Sequence, residues 1–246
     1  RKAIYESVNT YYYKLALDMG VQRYDEYMLK YGFGQKTGID LAGEIEGIVP
    51  SPASKLKYGK QRWYPGDLVN SSIGQGLWKV TPLQLVRGVA AIADDGRMRR
   101  LHLATEQRAG FDAPWQPLPQ PPVARISDRP DNVRVVQDGM AMTTLGSGTA
   151  ARVFRGSTYR SAGKTGTAQV VNRRATAVDP RSLPLWQRHR GLYIGYAPAD
   201  VPTIAIAVAV EGGGFGSDSA APIARKLFDA WLLGRMPEAK VPEAPE

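Results

Sequence analysis

The change of hydrophobic period near residue 146 constrains this chain more than any other feature. Before it, apolar residues recur at helical spacing, as at Leu85, Val86, Val89, Ala90 and Ala93. After the Gly146-Ser147-Gly148 turn the pattern becomes that of strands. Ser161 to Val171, Leu192 to Ala197 and Pro202 to Glu211 read as three strands, the last two joined by a tight Pro198-Ala199-Asp200 turn. The Arg173 to Arg190 segment between the first two reads as a flexible loop. A closing helix is expected over about 220–233, with Ile223, Leu227, Ala230 and Trp231 on one side. Helices first, then an antiparallel sheet, then a final helix predict an α+β fold with helices packed on the sheet.

The helical part has its own punctuation. Tyr12, Leu15, Ala16 and Met19 mark a helix closed by Gly20, and a second runs from about Val21 to Tyr31 and ends at Gly32. Thr81-Pro82 supplies an N-cap and a proline at the first helical position. Pro130 to Leu145 is a further helix. From Gly32 to Gly76 the Gly-, Pro- and Ser-rich composition reads as a long irregular excursion, of the kind that carries binding surfaces. The five prolines between 110 and 123 favour an extended surface connection without a domain boundary. Residues 1–234 are therefore expected to form one domain, and the Pro- and Glu-rich 235–246 a disordered tail. Arg1 to Tyr5 carry no initiator methionine or leader and run straight into a helix, so the chain is expected to begin within a longer protein.

Composition removes several classes of function. Without cysteine there is no disulfide, zinc-thiolate site or cysteine nucleophile. His102 and His189 are far apart and read as surface residues, so neither a metal nor another cofactor is expected. The net charge of +9 raises the question of an anionic partner. The basic residues are scattered, however, apart from Arg97, Arg99 and Arg100 and a series from Arg173 to Arg190, and no nucleic-acid motif accompanies them. No nucleic-acid function is expected. The longest apolar run, Thr203 to Val210, is far short of the roughly 20 residues of a membrane helix.

Two short segments carry chemistry. In Ser161-Ala162-Gly163-Lys164-Thr165-Gly166-Thr167-Ala168-Gln169, strand alternation puts Lys164 and Gly166 on one face, Thr165 and Thr167 on the other. Such a strand offers a cation and hydroxyls to a bound carboxylate, and its glycine allows a ligand backbone to approach the edge. An ordinary edge strand guarded by a lysine is the plain alternative. In Ser7-Val8-Asn9, a hydroxyl can relay a proton and an amide can hold a substrate carbonyl or orient a lysine. Helix capping by Ser7 or Asn9 is the plain alternative there.

Together, in this order and 157 positions apart, Ser7-Val8-Asn9 and Lys164-Thr165-Gly166 resemble the second and third signature motifs of penicillin-binding proteins and serine β-lactamases. Asp18-Met19-Gly20, Tyr31-Gly32-Phe33-Gly34, Thr37-Gly38-Ile39-Asp40-Leu41 and Ile73-Gly74-Gln75-Gly76 with Thr81-Pro82 extend the likeness to class B penicillin-binding protein transpeptidase domains, most closely the elongation type. The resemblance runs to about Gly234. It implies the penicillin-binding protein/serine β-lactamase-like transpeptidase fold and a serine acyl-enzyme that cross-links peptidoglycan stem peptides. It also implies roles. Lys164 would set the field and help proton transfer, Ser7 would join the relay, and Asn9 would contact substrate. Thr165 and Thr167 would hold the terminal carboxylate beside Gly166 and Ala168, and the Thr167 backbone N–H would form half of the oxyanion hole. Implied partners are stem peptides on lipid-linked glycan strands, β-lactam antibiotics and a membrane glycosyltransferase of the elongation machinery. The implied location is the periplasmic face of the cytoplasmic membrane, with an upstream anchor.

The family's Ser-x-x-Lys motif, which holds the nucleophile, should precede Ser7, and Arg1 to Glu6 contain no serine. Of the two such strings present, Ser161 to Lys164 lies in a strand, where residues three apart face opposite sides. Ser54 to Lys57 could form a helical turn but falls after the second motif. The nucleophile is thus expected on an upstream segment, and this stretch alone is expected to be catalytically incomplete. Hydrolysis on the same fold, as in a D,D-carboxypeptidase or β-lactamase, and a non-catalytic muropeptide- or β-lactam-binding sensor are the competing readings.

Overall fold

The computed structural model describes residues 1–170 and 182–236. The helical part opens with α1 (Lys2–Tyr5), α2 (Asn9–Met19) and α3 (Val21–Lys30). Gly20, at φ 76°, turns the chain between α2 and α3, a conformation that costs a side-chain-bearing residue more than glycine.

The excursion from Gly32 to Gly76 is less irregular than its composition suggests, since it holds α4 (Pro52–Gly59) and α5 (Pro65–Ser71). Both start with proline in the first turn, α4 behind a Ser51 side-chain cap and α5 behind Tyr64. The cap-and-proline signal that marks α6 (Pro82–Ala93) therefore recurs in Ser51-Pro52, and its proline alone in Tyr64-Pro65. The rest of the excursion is held by side chains. Glu44 accepts from the Thr37 and Gly38 amides at 2.6 and 3.1 Å, and buried Gln84 donates to the Gln35 and Glu46 carbonyls at 2.7 and 2.8 Å.

After α6 an arm extends over residues 97–125. The antiparallel pair β1 (Arg97–Met98) and β4 (Ala124–Arg125) closes its base, and β2 (Glu106–Gln107) with β3 (Gln116–Pro117) lies further out. The cluster of Arg97, Arg99 and Arg100 is engaged in holding this base. Arg97 and Arg99 both pair with Asp94, and Arg100 donates to the Gly38 carbonyl at 3.2 Å. Asp40 accepts from the Leu103 and Ala104 amides at 2.7 and 2.8 Å, tying arm to excursion.

Helices α7 (Pro130–Thr143) and α8 (Ala151–Phe154) lead into the sheet of β5 (Ala162–Ala168), β6 (Arg190–Ala197) and β7 (Ile204–Val210). Its order is β5-β6-β7, antiparallel throughout, so β5 is an edge strand within it. The connection from β6 to β7 spans residues 198–203, longer than the three-residue turn expected, and is closed by Thr203 N–H donating to the Ala197 carbonyl at 3.0 Å. The chain closes with α9 (Ala220–Leu233).

Helices cover both faces of the sheet. On one, Tyr193, Ala197 and Ile206 meet Phe154 of α8 and Ala221, Ala224 and Phe228 of α9. On the other, Ala162 and Tyr196 meet Val89 of α6 and Met140 and Ala141 of α7. The parity follows from strand alternation: Tyr193 and Ala197 face α9, Ile194 and Tyr196 face α6 and α7. The flexible-loop reading of 173–190 falls partly, and the tail reading of 235–246 mostly, outside the described residues. Among those described, no helix is long and apolar enough to cross a membrane.

Candidate active site

The site forms where the first turns of the chain meet the edge strand. Helix α1 is set against α7 by Ile4, whose side chain lies where a Cβ on Gly139 would otherwise stand. Tyr5 is tied to the turn before α8, its carbonyl accepting from the Thr149 amide at 3.2 Å. Between α1 and α2 the chain passes through Ser7 at φ 57°, a left-handed conformation uncommon for a residue other than glycine and often met at functional positions.

Ser7 does not cap α2, and neither does Asn9. The N-cap is Val8 without a side-chain bond, and Asn9 is the first helical residue. The Ser7 hydroxyl instead accepts a hydrogen bond from the Lys164 ammonium at 2.9 Å, across 157 positions of sequence. Lys164 donates a second bond to the Thr165 carbonyl at 2.8 Å. No carboxylate pairs with Lys164 among the described residues. Burial without a counter-charge disfavours the ammonium form and brings its pKa down from 10.5 to about 8. Asn9 is exposed and takes no hydrogen bond to Lys164 or to β5.

Alternation places Thr165 and Thr167 on the face opposite Lys164. The Thr165 hydroxyl is 2.7 Å from that of Thr149, a residue the sequence reading passed over because it follows the Gly146-Ser147-Gly148 turn and belongs to no strand or helix pattern. Two glycines of the strand have packing reasons. A Cβ on Gly163 would collide with the Tyr193 hydroxyl, and one on Gly166 would lie 3.2 Å from the Leu192 Cβ opposite it. Gln75 reaches β5 from the other side, its amide nitrogen donating to the Thr167 carbonyl at 2.8 Å and its oxygen accepting from the Gln169 amide at 3.2 Å.

Neither internal Ser-x-x-Lys string assembles a nucleophile. The Ser54 hydroxyl is committed to the α4 cap, accepting from Ser51 N–H at 2.8 Å and donating to the Ser51 carbonyl at 3.1 Å, while Lys57 lies over the Tyr58 ring. Ser161 is 2% exposed, its hydroxyl without a partner, while Lys164 turns to Ser7.

The site is thus an edge strand with a buried lysine on one face and hydroxyls on the other, braced by a serine from a helix junction and set in a helix-covered antiparallel sheet. Residues 1–229 match the penicillin binding protein transpeptidase domain, and the chain belongs to that family. It is 39% identical over 95% of its length to the peptidoglycan D,D-transpeptidase MrdA of Acinetobacter baumannii, and 36% over 93% to that of Salmonella typhimurium. It covers 34% and 37% of those proteins, so the chain spans about a third of their length. Among solved structures, Pseudomonas aeruginosa penicillin-binding protein 2 in complex with WCK 5153 matches with a TM-score of 0.79 and 38% identity, over 98% of this chain and 51% of that one. Helicobacter pylori penicillin-binding protein 2 in complex with MreC matches with a TM-score of 0.78 and 31% identity, over 95% of this chain and 40% of that one.

Proposed function

We propose that this chain is the motif-bearing part of a peptidoglycan D,D-transpeptidase of cell-wall elongation, with its nucleophilic serine on a preceding segment. The observation that carries the proposal is the 2.9 Å bond between Lys164 and Ser7, which brings the second and third signature motifs together. In the reaction, the serine hydroxyl attacks the carbonyl of the penultimate D-alanine of a stem peptide. Its proton passes through the lysine and serine hydroxyl network to the amine of the departing D-alanine, leaving an acyl ester. The amine of a neighbouring stem then attacks the ester, which restores the serine and completes the cross-link.

Each residue has a task in that cycle. Lys164, in its protonated form, draws the substrate carboxylate to the strand, while Thr165 and Thr167 hold it by their hydroxyls next to Gly166 and Ala168. The Thr167 N–H stabilises the oxyanion, a contribution typically worth about 2.7–4 kcal/mol for one such donor. Asn9, exposed and uncommitted, contacts the peptide beyond the scissile bond. β-Lactams acylate the same serine as mimics of the stem terminus. The MrdA relatives, the Helicobacter complex with MreC and a 31% identical chain in a peptidoglycan synthase complex support an enzyme working on lipid-linked glycan with a membrane glycosyltransferase, at the periplasmic face of the cytoplasmic membrane.

The test is intact mass after incubation with a reactive β-lactam, for this chain alone and for a protein extended upstream, both checked for folding. An adduct on the extended protein only supports the proposal. An adduct on this chain alone points to an internal serine and overturns it, and none on either folded protein favours a binding module that does no chemistry.

A further inference from the structure

We infer that Gln75 is a positioning residue, its side-chain amide standing in for a short neighbouring strand that fixes Thr167 on the edge of β5. The inference rests on the transpeptidase reading for the use of the Thr167 N–H, and on geometry for everything else. β5 pairs along its full length with β6, so its inner backbone groups are satisfied by the sheet. In an antiparallel ladder the N–H and C=O of one residue point the same way, and successive residues alternate between the partner and the free edge. Gln75 bonds the Thr167 carbonyl and the Gln169 amide, and Lys164 bonds the Thr165 carbonyl, so the odd-numbered residues are those that face outward. The Thr167 N–H therefore faces the open edge, where a ligand reaches it, while the carbonyl of the same residue is held by Gln75.

The turn that presents Gln75 is built for that purpose. Gly74 and Gly76 flank it at φ 78° and 81°, left-handed on both sides, where other residues would be strained. The Gln75 amide donates to the Asn70 carbonyl at 3.1 Å, anchoring the turn to the end of α5. That end is fixed in turn by the Tyr24 hydroxyl and the Trp78 indole, which donate to the Ser71 carbonyl at 2.7 and 2.9 Å. α5 packs against α2, the helix that begins just after Ser7. Gln75 thus refers the oxyanion donor to the helical frame that carries Ser7, the partner of Lys164. Unlike a packing residue, it bonds one peptide edge at two points and sets its direction.

The experiment uses the full-length protein and a chromogenic β-lactam, separating the acylation rate constant from the dissociation constant of the preceding complex. Gln75→Met keeps the reach and removes both bonds, and Gln75→Glu keeps the acceptor for Gln169 but loses the donor to Thr167. Both variants are expected to acylate at least tenfold more slowly while the dissociation constant changes less than threefold. Amide exchange at Gln169, read without any ligand, is expected to accelerate in Gln75→Met and to stay slow in Gln75→Glu. Unchanged Gln169 exchange in Gln75→Met, acylation within twofold of wild type, or equal losses in both constants would overturn the inference. A wild-type protein inert to the β-lactam would sink the transpeptidase reading instead, and the exchange measurement would still decide whether the clamp exists.

Discussion

Replacing Lys164 by methionine is expected to make the folded domain more stable at neutral pH while abolishing its chemistry. The lysine is buried as a cation with hydroxyl and carbonyl partners but no carboxylate, and its pKa falls from 10.5 to about 8. At about 1.36 kcal/mol per unit, that depression corresponds to about 3 kcal/mol by which folding disfavours the charged form. The lost bonds to the Ser7 hydroxyl and the Thr165 carbonyl offset about 1 kcal/mol each, because water can replace the ammonium at both. A net gain of about 1 kcal/mol follows, or about 2–4 °C in melting temperature for a domain of this size. The sign with pH is set by linkage. Because the folded pKa is the lower one, the unfolded state holds more protons between pH 8 and 10.5, and wild-type stability rises across that window. The advantage of Lys164→Met is therefore largest below pH 8 and fades towards pH 10.5. Urea unfolding of both proteins from pH 6 to 10.5 measures it. A difference that is constant with pH, or a variant less stable at pH 7, would refute the reasoning.

Other outcomes follow from the same site, with acylation read on the protein extended upstream to include the nucleophile. Affinity of the pre-acylation complex for an anionic β-lactam should decline as pH rises through about 8, because the field of Lys164 disappears with its proton; stopped-flow acylation across pH checks this. Thr149→Val should slow acylation by about fivefold, the equivalent of about 1 kcal/mol, through loss of the bond to Thr165, whereas Thr149→Ser keeps the rate. Tyr193→Phe should stabilise the fold by about 1 kcal/mol in denaturant unfolding, since its buried hydroxyl has no partner. Gly163→Ala should cost about 1–3 kcal/mol by overpacking against that hydroxyl, and a double-mutant cycle should show Tyr193→Phe relieving part of the cost.

The sequence was most informative where a local rule and a tertiary demand coincide. α6 was legible because its Thr81 cap, proline and apolar stripe agree, and the sheet because alternation persists through β5, β6 and β7. α4 and α5 were less legible because their glycine- and proline-rich surroundings mask short helices, α4 marked by the Ser51 cap and Pro52, and α5 by Pro65 with Asp67 in its first turn. The pairing of Lys164 with Ser7 was suggested by motif order alone, since no local pattern relates residues 157 positions apart. Thr149 reaches β5 through one bond and Gln75 reaches it and the residue after it through two, all from turns, and periodicity carries no trace of such contacts. The missing cap at Asn9 was equally illegible, because it depends on Ser7 adopting a left-handed backbone and passing the capping position to Val8.

The opposite orientation of Lys164 and its neighbouring threonines has a consequence for how chain length can vary in this protein. A shift of one residue in the pairing of β5 would exchange the two faces, sending the cation towards α8 and the hydroxyls towards α7. Gly163 opposite Gly195, beneath the ring of Tyr193, holds the pairing in place, because any other residue brought there would strike that ring. Insertions and deletions just before the strand are accordingly most easily absorbed between Arg155 and Thr158, where the chain is neither helix nor strand, ahead of Tyr159 and Arg160, which are tied to α9 and to the β6–β7 connection. Homologous chains should therefore differ in length at that turn, and keep an unbroken count of residues from Ser161 to Ala168.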